Sequence, residues 1–258
     1  MLKFSANLSL LFTEVELVDR FQAAADSGFR AVEIQFPYSL PAAQIEQILG
    51  EQSLKLVLFN IDADDLLQGG EGLASAPKKQ DQFKYALEQA ESYARFLKPD
   101  VINVLPGRCI DSKKNGYYLD TFKRNLELAL EAFSPLGIKT VFEAINTVDM
   151  PHFLISSGAQ MLEVLQDVNQ RDLLMQYDIY HAAKMEDNYA EFIQDHAEKI
   201  GHIQFADNPG RGEPTTGNID FAQLFALIDN SGYQGWLGAE YKPSESTVKS
   251  LEWYANYK

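Results

Sequence analysis

Three carboxylates and one amide stand at equivalent places in four successive apolar stretches: Glu143 in VFEAIN, Asp178 in MQYDIYH, Gln204 in GHIQFAD and Glu240 in LGAEYKP. They are separated by 35, 26 and 36 positions, so each falls at the end of a successive structural unit. Brought to one volume, three negative charges repel strongly or hold a proton with a raised pKa. A divalent cation removes that repulsion. An all-oxygen donor set favours a hard ion, Mg²⁺ or Mn²⁺, over a thiolate-loving metal. Taken singly, each residue reads equally well as an ordinary polar group at a strand end; the shared register gives the set its meaning. Cations follow several of these stretches: Arg211 in ADNPGRGEP, Lys242 in AEYKP and Arg108 in LPGRC. A carboxylate-bearing substrate needs such a partner, and arginine offers a bidentate one, although each of the three also reads as a solvated loop cation.

Eight short β-branched or apolar runs can position this set: residues 4–8, 31–36, 54–60, 101–105, 139–145, 173–179, 200–206 and 235–241. They alternate with segments of helical spacing, at about 32 residues per unit, the size of a βα repeat. In 79–97, Phe83, Leu87, Ala90, Ala94 and Leu97 form one apolar stripe. Phe122, Leu126, Ala129 and Phe133 form another, and Met161, Leu162, Leu165 and Val168 a third, capped by Ser156 or Ser157. Thr13 and Glu16 have the spacing of a capping box before Leu17 and Phe21, with Gly28 closing that helix. The pattern predicts an α/β chain forming one closed (β/α)8 TIM barrel over 1–258. An open doubly wound sheet would show a glycine-rich phosphate loop after its first strand, where LSLLFTEVE has no glycine. In a barrel, functional side chains project from the C-terminal strand ends. Segment 61–78 is long for a βα loop and is expected to cover the site as a solvated lid.

Composition narrows the classes. The formal charge of −15 repels phosphate backbones and anionic membranes, so nucleic acid is not an expected partner. No run of about 18 apolar residues occurs, so no membrane span is expected. The single cysteine, Cys109, has no intramolecular partner and fits a reducing cytoplasm and a buried apolar position. The N-terminus lacks the basic region and longer apolar core of a signal peptide. Aromatic residues at 12% leave room for a homo-oligomer, with Trp253-Tyr254 as the candidate patch. His202 shares a face with Gln204 one layer deeper and reads as a packed interior histidine; His152 and His196 read as loop or surface residues. Asn7 and Glu33 read as interior polar residues that satisfy each other.

The four-residue set, with the phrases FSANLS, FPY, QYDIYH, GHIQFADNPGRGEP and GWLGAEYKP, resembles the hydroxypyruvate isomerase family of xylose-isomerase-like barrels, from residue 3 to about 257. The resemblance implies a divalent metal at Glu143, Asp178, Gln204 and Glu240, with Glu143 and Glu240 as the proton-transfer pair. It implies one of two activities on a small oxo-hydroxy acid: hydroxypyruvate to tartronate semialdehyde, or 2-oxo-tetronate to its 3-oxo partner. It also favours a role for His181, in the DxxH of strand six, on a substrate oxygen or a ligand carboxylate. The chain departs from the family at Thr215, Asn218, ASAPKKQ (74–80) and Phe59 beside Asn60, positions that bear on substrate rather than metal. The rival readings are a sugar epimerase or isomerase of the same fold, an apurinic-site endonuclease, and a non-catalytic sugar-acid binding barrel. The endonuclease needs several zinc ions, more histidines than four and a surface for DNA.

Overall fold

Eight parallel strands close on themselves in chain order in the computed structural model, which describes residues 2–257. They are β1 Phe4–Asn7, β2 Ala31–Ile34, β3 Lys55–Asn60, β4 Val101–Asn103, β5 Lys139–Glu143, β6 Leu173–Asp178, β7 Ile200–Phe205 and β8 Leu237–Ala239. Each lies within one of the eight apolar runs. β8 pairs with β1 through Phe4–Leu237 and Ala6–Ala239, which closes the ring. The helices are α1 Leu17–Asp26, α2 Ala42–Glu51, α3 Gln80–Leu97, α4 Asn115–Phe133, α5 Gly158–Val168, α6 Ile179–Lys184, α7 Tyr189–His196, α8 Phe221–Asn230 and α9 Thr247–Ser250.

Side-chain alternation along the strands decides what faces inward. Outward residues such as Val32, Ile102 and Phe142 join the main core between strands and helices, where the α3 and α4 stripes are buried. Inward residues begin with a small apolar layer that includes Ala31, Val101 and Val141. Two positions further along each of those strands stand Glu33, Asn103 and Glu143, all buried. The barrel interior therefore runs from apolar at the N-terminal strand ends to acidic at the C-terminal ends. Gly238 is part of this arrangement: a Cβ there would lie 2.3 Å from Glu33 Oε2, so the missing side chain makes room for the carboxylate.

Two local expectations are corrected. Thr13 does not cap α1; the helix begins after Glu16 with no side-chain capping bond, and Glu14 instead accepts from the Thr247 amide. Trp253 and Tyr254 are buried within the chain, packed edge-on to Phe4 and, for Tyr254, stacked on Phe29, so their faces are already used. The cap on α5 is Ser157, whose hydroxyl accepts from the Gln160 amide. Among the described residues no helix is long and apolar enough to cross a membrane.

Candidate active site

Register brings the four acidic and amide positions together. Glu143, the last residue of β5, pairs with Gln176, and Asp178, the last of β6, pairs with Gln204. Glu240 follows β8 directly, and its amide donates to the Phe205 carbonyl. All four side chains are buried. Glu143, Gln204 and Glu240 line a cavity of about 80 Å³ at the C-terminal mouth, together with His181 and Arg211. A larger and shallower depression lies elsewhere, between α4 and the loop before β6, and contains none of these residues.

Charges dominate this volume. Burial, then Glu240 and Asp178, push the Glu143 carboxyl well above its ordinary pKa. Burial also raises Glu240 and Asp178, while the Arg211 guanidinium pulls both back. Arg211 Nη2 donates to Glu240 Oε2 at 2.5 Å and lies 3.9 Å from Asp178 Oδ2. Burial works against the arginine's charge, but the three carboxylates more than offset it and hold the group protonated. Its guanidinium also stacks over Tyr180 at 5.2 Å, and its buried Nε has no hydrogen-bond partner. Asp178 Oδ1 accepts from the amides of Tyr180 and His181 at the start of α6, whereas its buried Oδ2 has no hydrogen-bond partner.

His181 is buried beside these groups. The Asp149 amide donates to Asn146 Oδ1, which turns the Asn146 amide nitrogen toward Asp149 Oδ2 and to 2.6 Å from His181 Nδ1. Nδ1 therefore accepts, and the ring proton is assigned to Nε2 by the network. Nε2 lies 3.5 Å from Asp178 Oδ2 and 3.9 Å from Glu143 Oε1. Burial, reinforced by Arg211, pushes the imidazole pKa down to about 3, so the ring is a neutral donor at physiological pH.

Further residues complete the site. Glu33 accepts from Ser5 (2.8 Å), Asn7 (3.0 Å), His202 (2.8 Å) and Gln204 (2.8 Å), filling both carboxylate oxygens. Burial opposes its charge, but His202 and these hydrogen bonds bring its pKa below the ordinary value. The bond from Gln204 Nε2 to Glu33 leaves Gln204 Oε1 directed toward Gln176 Nε2 at 2.6 Å. Gln176 also donates to Glu143 Oε2, and Gln35 and Asn7 both donate to Glu240 Oε1. Gln35, Gln176 and Asn103 were not singled out by sequence. Their signal was the alternation itself, since Gln35 and Gln176 lie two positions from Glu33 and Asp178. Arg108 and Lys242 do not line the cavity. The Arg108 guanidinium is buried against the carbonyls of Leu66 and Gly70, and Lys242 is exposed, with its backbone amide on the Arg211 carbonyl. Cys109 is buried and its thiol pKa is raised by that burial.

The donor set fits a hard cation. Glu143, Asp178 and His181 each present a ligand atom within 4.8 Å of one another, and Asp178 Oδ2 is a buried carboxyl oxygen without a hydrogen-bond partner. With its proton on Nε2, His181 presents a donor rather than a lone pair toward Asp178 and Glu143.

The comparison with known sequences decides the family. A family model described as a xylose isomerase-like TIM barrel matches residues 21–257. The chain belongs to this family. The xylose isomerase-like barrel described here is 39% identical to the hydroxypyruvate isomerase of Escherichia coli over 258 residues, covering 100% of both chains. It is 37% identical over 253 residues to a 2-oxo-tetronate isomerase of Pectobacterium atrosepticum, covering 98% of this chain and 97% of that one. The crystal structure of an AP endonuclease, family 2, from Brucella melitensis matches with a TM-score of 0.96 at 32% identity over 100% of both chains. The protein is an enzyme, an isomerase on a TIM barrel.

Proposed function

We propose that the enzyme is a metal-dependent isomerase of a small oxo-hydroxy acid, interconverting hydroxypyruvate and tartronate semialdehyde or 2-oxo-tetronate and 3-oxo-tetronate through an enediolate. The observation that carries this reading is a small cavity lined by two buried carboxylates, Glu143 and Glu240, and by Arg211, with the partnerless Oδ2 of buried Asp178 3.9 Å from that arginine. The cavity is small, about 80 Å³, which favours a short acid over a six-carbon sugar.

Glu143, Asp178, Gln204 and Glu240 would hold Mg²⁺ or Mn²⁺. When bound, the ion supplies Lewis-acid stabilisation of negative charge on the substrate's carbonyl and adjacent hydroxyl oxygens. Arg211 anchors the substrate carboxylate through Nε and its remaining N–H groups. One of Glu143 and Glu240 removes the proton from the hydroxyl-bearing carbon, and the other group of the pair returns a proton to the former carbonyl carbon. A hydroxyl proton moves between the two oxygens to complete the isomerisation. His181 Nε2–H donates to a substrate oxygen and keeps its charge neutral while doing so. The lone Cys109 and the net charge of −15 fit a cytoplasmic enzyme acting on a small molecule without nucleic acid.

The test is proton exchange. Incubated with hydroxypyruvate and Mn²⁺ in D₂O, the enzyme is expected to place deuterium on the substrate, as read by NMR. EDTA should abolish that exchange, and the Glu240→Gln substitution should abolish net conversion to tartronate semialdehyde. A Glu240→Gln variant that binds Mn²⁺ and converts hydroxypyruvate at the wild-type rate would remove Glu240 from the mechanism.

A further inference from the structure

The loop after β3 forms the roof of the cavity, and its anchoring is unusually complete. Leu66, on the short 3-10 turn Asp64–Gln68, is 1% exposed and lines the cavity; Leu67 beside it is 61% exposed at the rim. Leu66 packs with Leu105, Ile145 and Phe153 in a cluster separate from the main core. The roof is thus made of residues from the β3, β4 and β5 loops, packed on one another rather than on the barrel.

Arg108 is the pin. Its Nη1 donates to the Leu66 carbonyl at 2.7 Å, in the middle of the turn, and to the Gly70 carbonyl at 3.1 Å, just past it. Its backbone amide donates to the Glu71 carbonyl at 2.9 Å, and Arg108 bridges in the other direction to Phe153 of the β5 loop. Gly107 lets the segments approach this closely: its φ is +84°, and a Cβ would lie 2.3 Å from the Glu71 carbonyl oxygen. On the outer face, Lys79 holds Asp64 (2.9 Å) and Asp65 (2.8 Å). A buried guanidinium spent on two backbone carbonyls is unavailable for substrate. It fixes instead the height of Leu66 above the reacting groups.

We propose that Arg108 and Leu66 together set the upper size limit of the substrate, Leu66 by contact and Arg108 as the positioning residue that holds the roof down. This inference rests on the proposed reading of the site as one for small oxo-hydroxy acids and names what confines it to them. The pinned roof admits acids of three or four carbons and excludes longer chains by steric clash with Leu66. Leu66→Ala removes the contact. Arg108→Met removes both hydrogen bonds while keeping the aliphatic stem, and Arg108→Lys keeps a charged donor on a shorter side chain that reaches the position of Nη1 less well.

The experiment is calorimetric binding of straight-chain aldonates of three to six carbons to the Mn²⁺-loaded wild type, Leu66→Ala, Arg108→Met and Arg108→Lys proteins. For the wild type, affinity is expected to drop about tenfold or more beyond four carbons, the range seen when a pocket must exclude added groups. Leu66→Ala should erase that step, Arg108→Met should shrink it, and Arg108→Lys should fall between Arg108→Met and the wild type. Hydrogen–deuterium exchange gives a readout free of any ligand: amides of 66–72 should exchange at least about tenfold faster in Arg108→Met, with the barrel strands unchanged. A flat wild-type series, a step that survives Leu66→Ala, or equal exchange in wild type and Arg108→Met would each overturn the inference. Failure of the wild type to isomerise hydroxypyruvate or 2-oxo-tetronate would instead overturn the proposed reaction, and the binding series and exchange data would still be readable.

Discussion

Replacing Arg211 with methionine separates recognition of an acid from recognition of its carbon skeleton. Arg211 is the one cation with its side chain both lining the cavity and touching the acidic cluster among the described residues, with Nη2 on Glu240 and a partnerless Nε. Hydroxypyruvate and dihydroxyacetone share a skeleton and differ in a carboxylate against a hydroxymethyl group. Removing one partner of a buried, hydrogen-bonded charge pair costs about 2–5 kcal/mol, whereas a neutral hydrogen bond is worth about 0.5–1.5 kcal/mol. At about 1.4 kcal/mol per tenfold, kcat/KM for the acid should fall by roughly 30- to 3,000-fold, mostly through KM. For dihydroxyacetone the fall should be about 2- to 12-fold. The assay is steady-state kinetics on both compounds with saturating Mn²⁺, accompanied by the Mn²⁺ dissociation constant. Because Arg211 competes with a cation for Glu240 and Asp178, Mn²⁺ should bind the variant at least as tightly as the wild type. Equal losses on the two substrates would show that Arg211 does not read the carboxylate.

Three other outcomes follow from the same geometry. Glu143, Asp178 and Glu240 have raised pKa values in the folded chain, so the metal-free fold binds protons that the unfolded chain has released. Metal-free protein should therefore lose stability as pH rises above about 4.5, the ordinary glutamate value, through the raised folded values, and saturating Mg²⁺ should reverse that slope in a thermal melt. Glu33 has the opposite sign: its lowered pKa contributes stability above about 4.5 that is lost as pH falls through the folded value, so Glu33→Gln should flatten the acid limb of a urea-unfolding series. Glu33→Ala strands four buried donors and should cost about 3–5 kcal/mol in urea unfolding; a loss under about 1 kcal/mol would mean that the interior network contributes little.

The strands and the acidic set were legible because both are periodic. β-branched runs of strand length recur at the interval of a βα unit, and Glu143, Asp178, Gln204 and Glu240 end four of them in register. The same alternation carried Glu33, Gln35 and Gln176, but polar residues inside a barrel look like strand-end polarity until closure makes them neighbours. His202 was legible as an interior group because it sits two positions before Gln204, and it bonds Glu33. Loop cations were not legible. Arg108, Arg211 and Lys242 all follow strand tips, yet only Arg211 turns inward, and the difference lies in loop conformations that bring backbone carbonyls to Arg108 and solvent to Lys242. The lid was expected as a solvated segment; its acidic residues do face Lys79, but Leu66 turns under them into the cavity, a placement fixed by contacts with Leu105 and Ile145 far away in sequence.

The most direct measurement is anomalous diffraction from crystals of the enzyme grown with Mn²⁺. The account expects one strong manganese peak bound by oxygen atoms of Glu143, Asp178, Gln204 and Glu240. A structure at full Mn²⁺ occupancy with the ion elsewhere, or with those four side chains turned away from any ion, would contradict it.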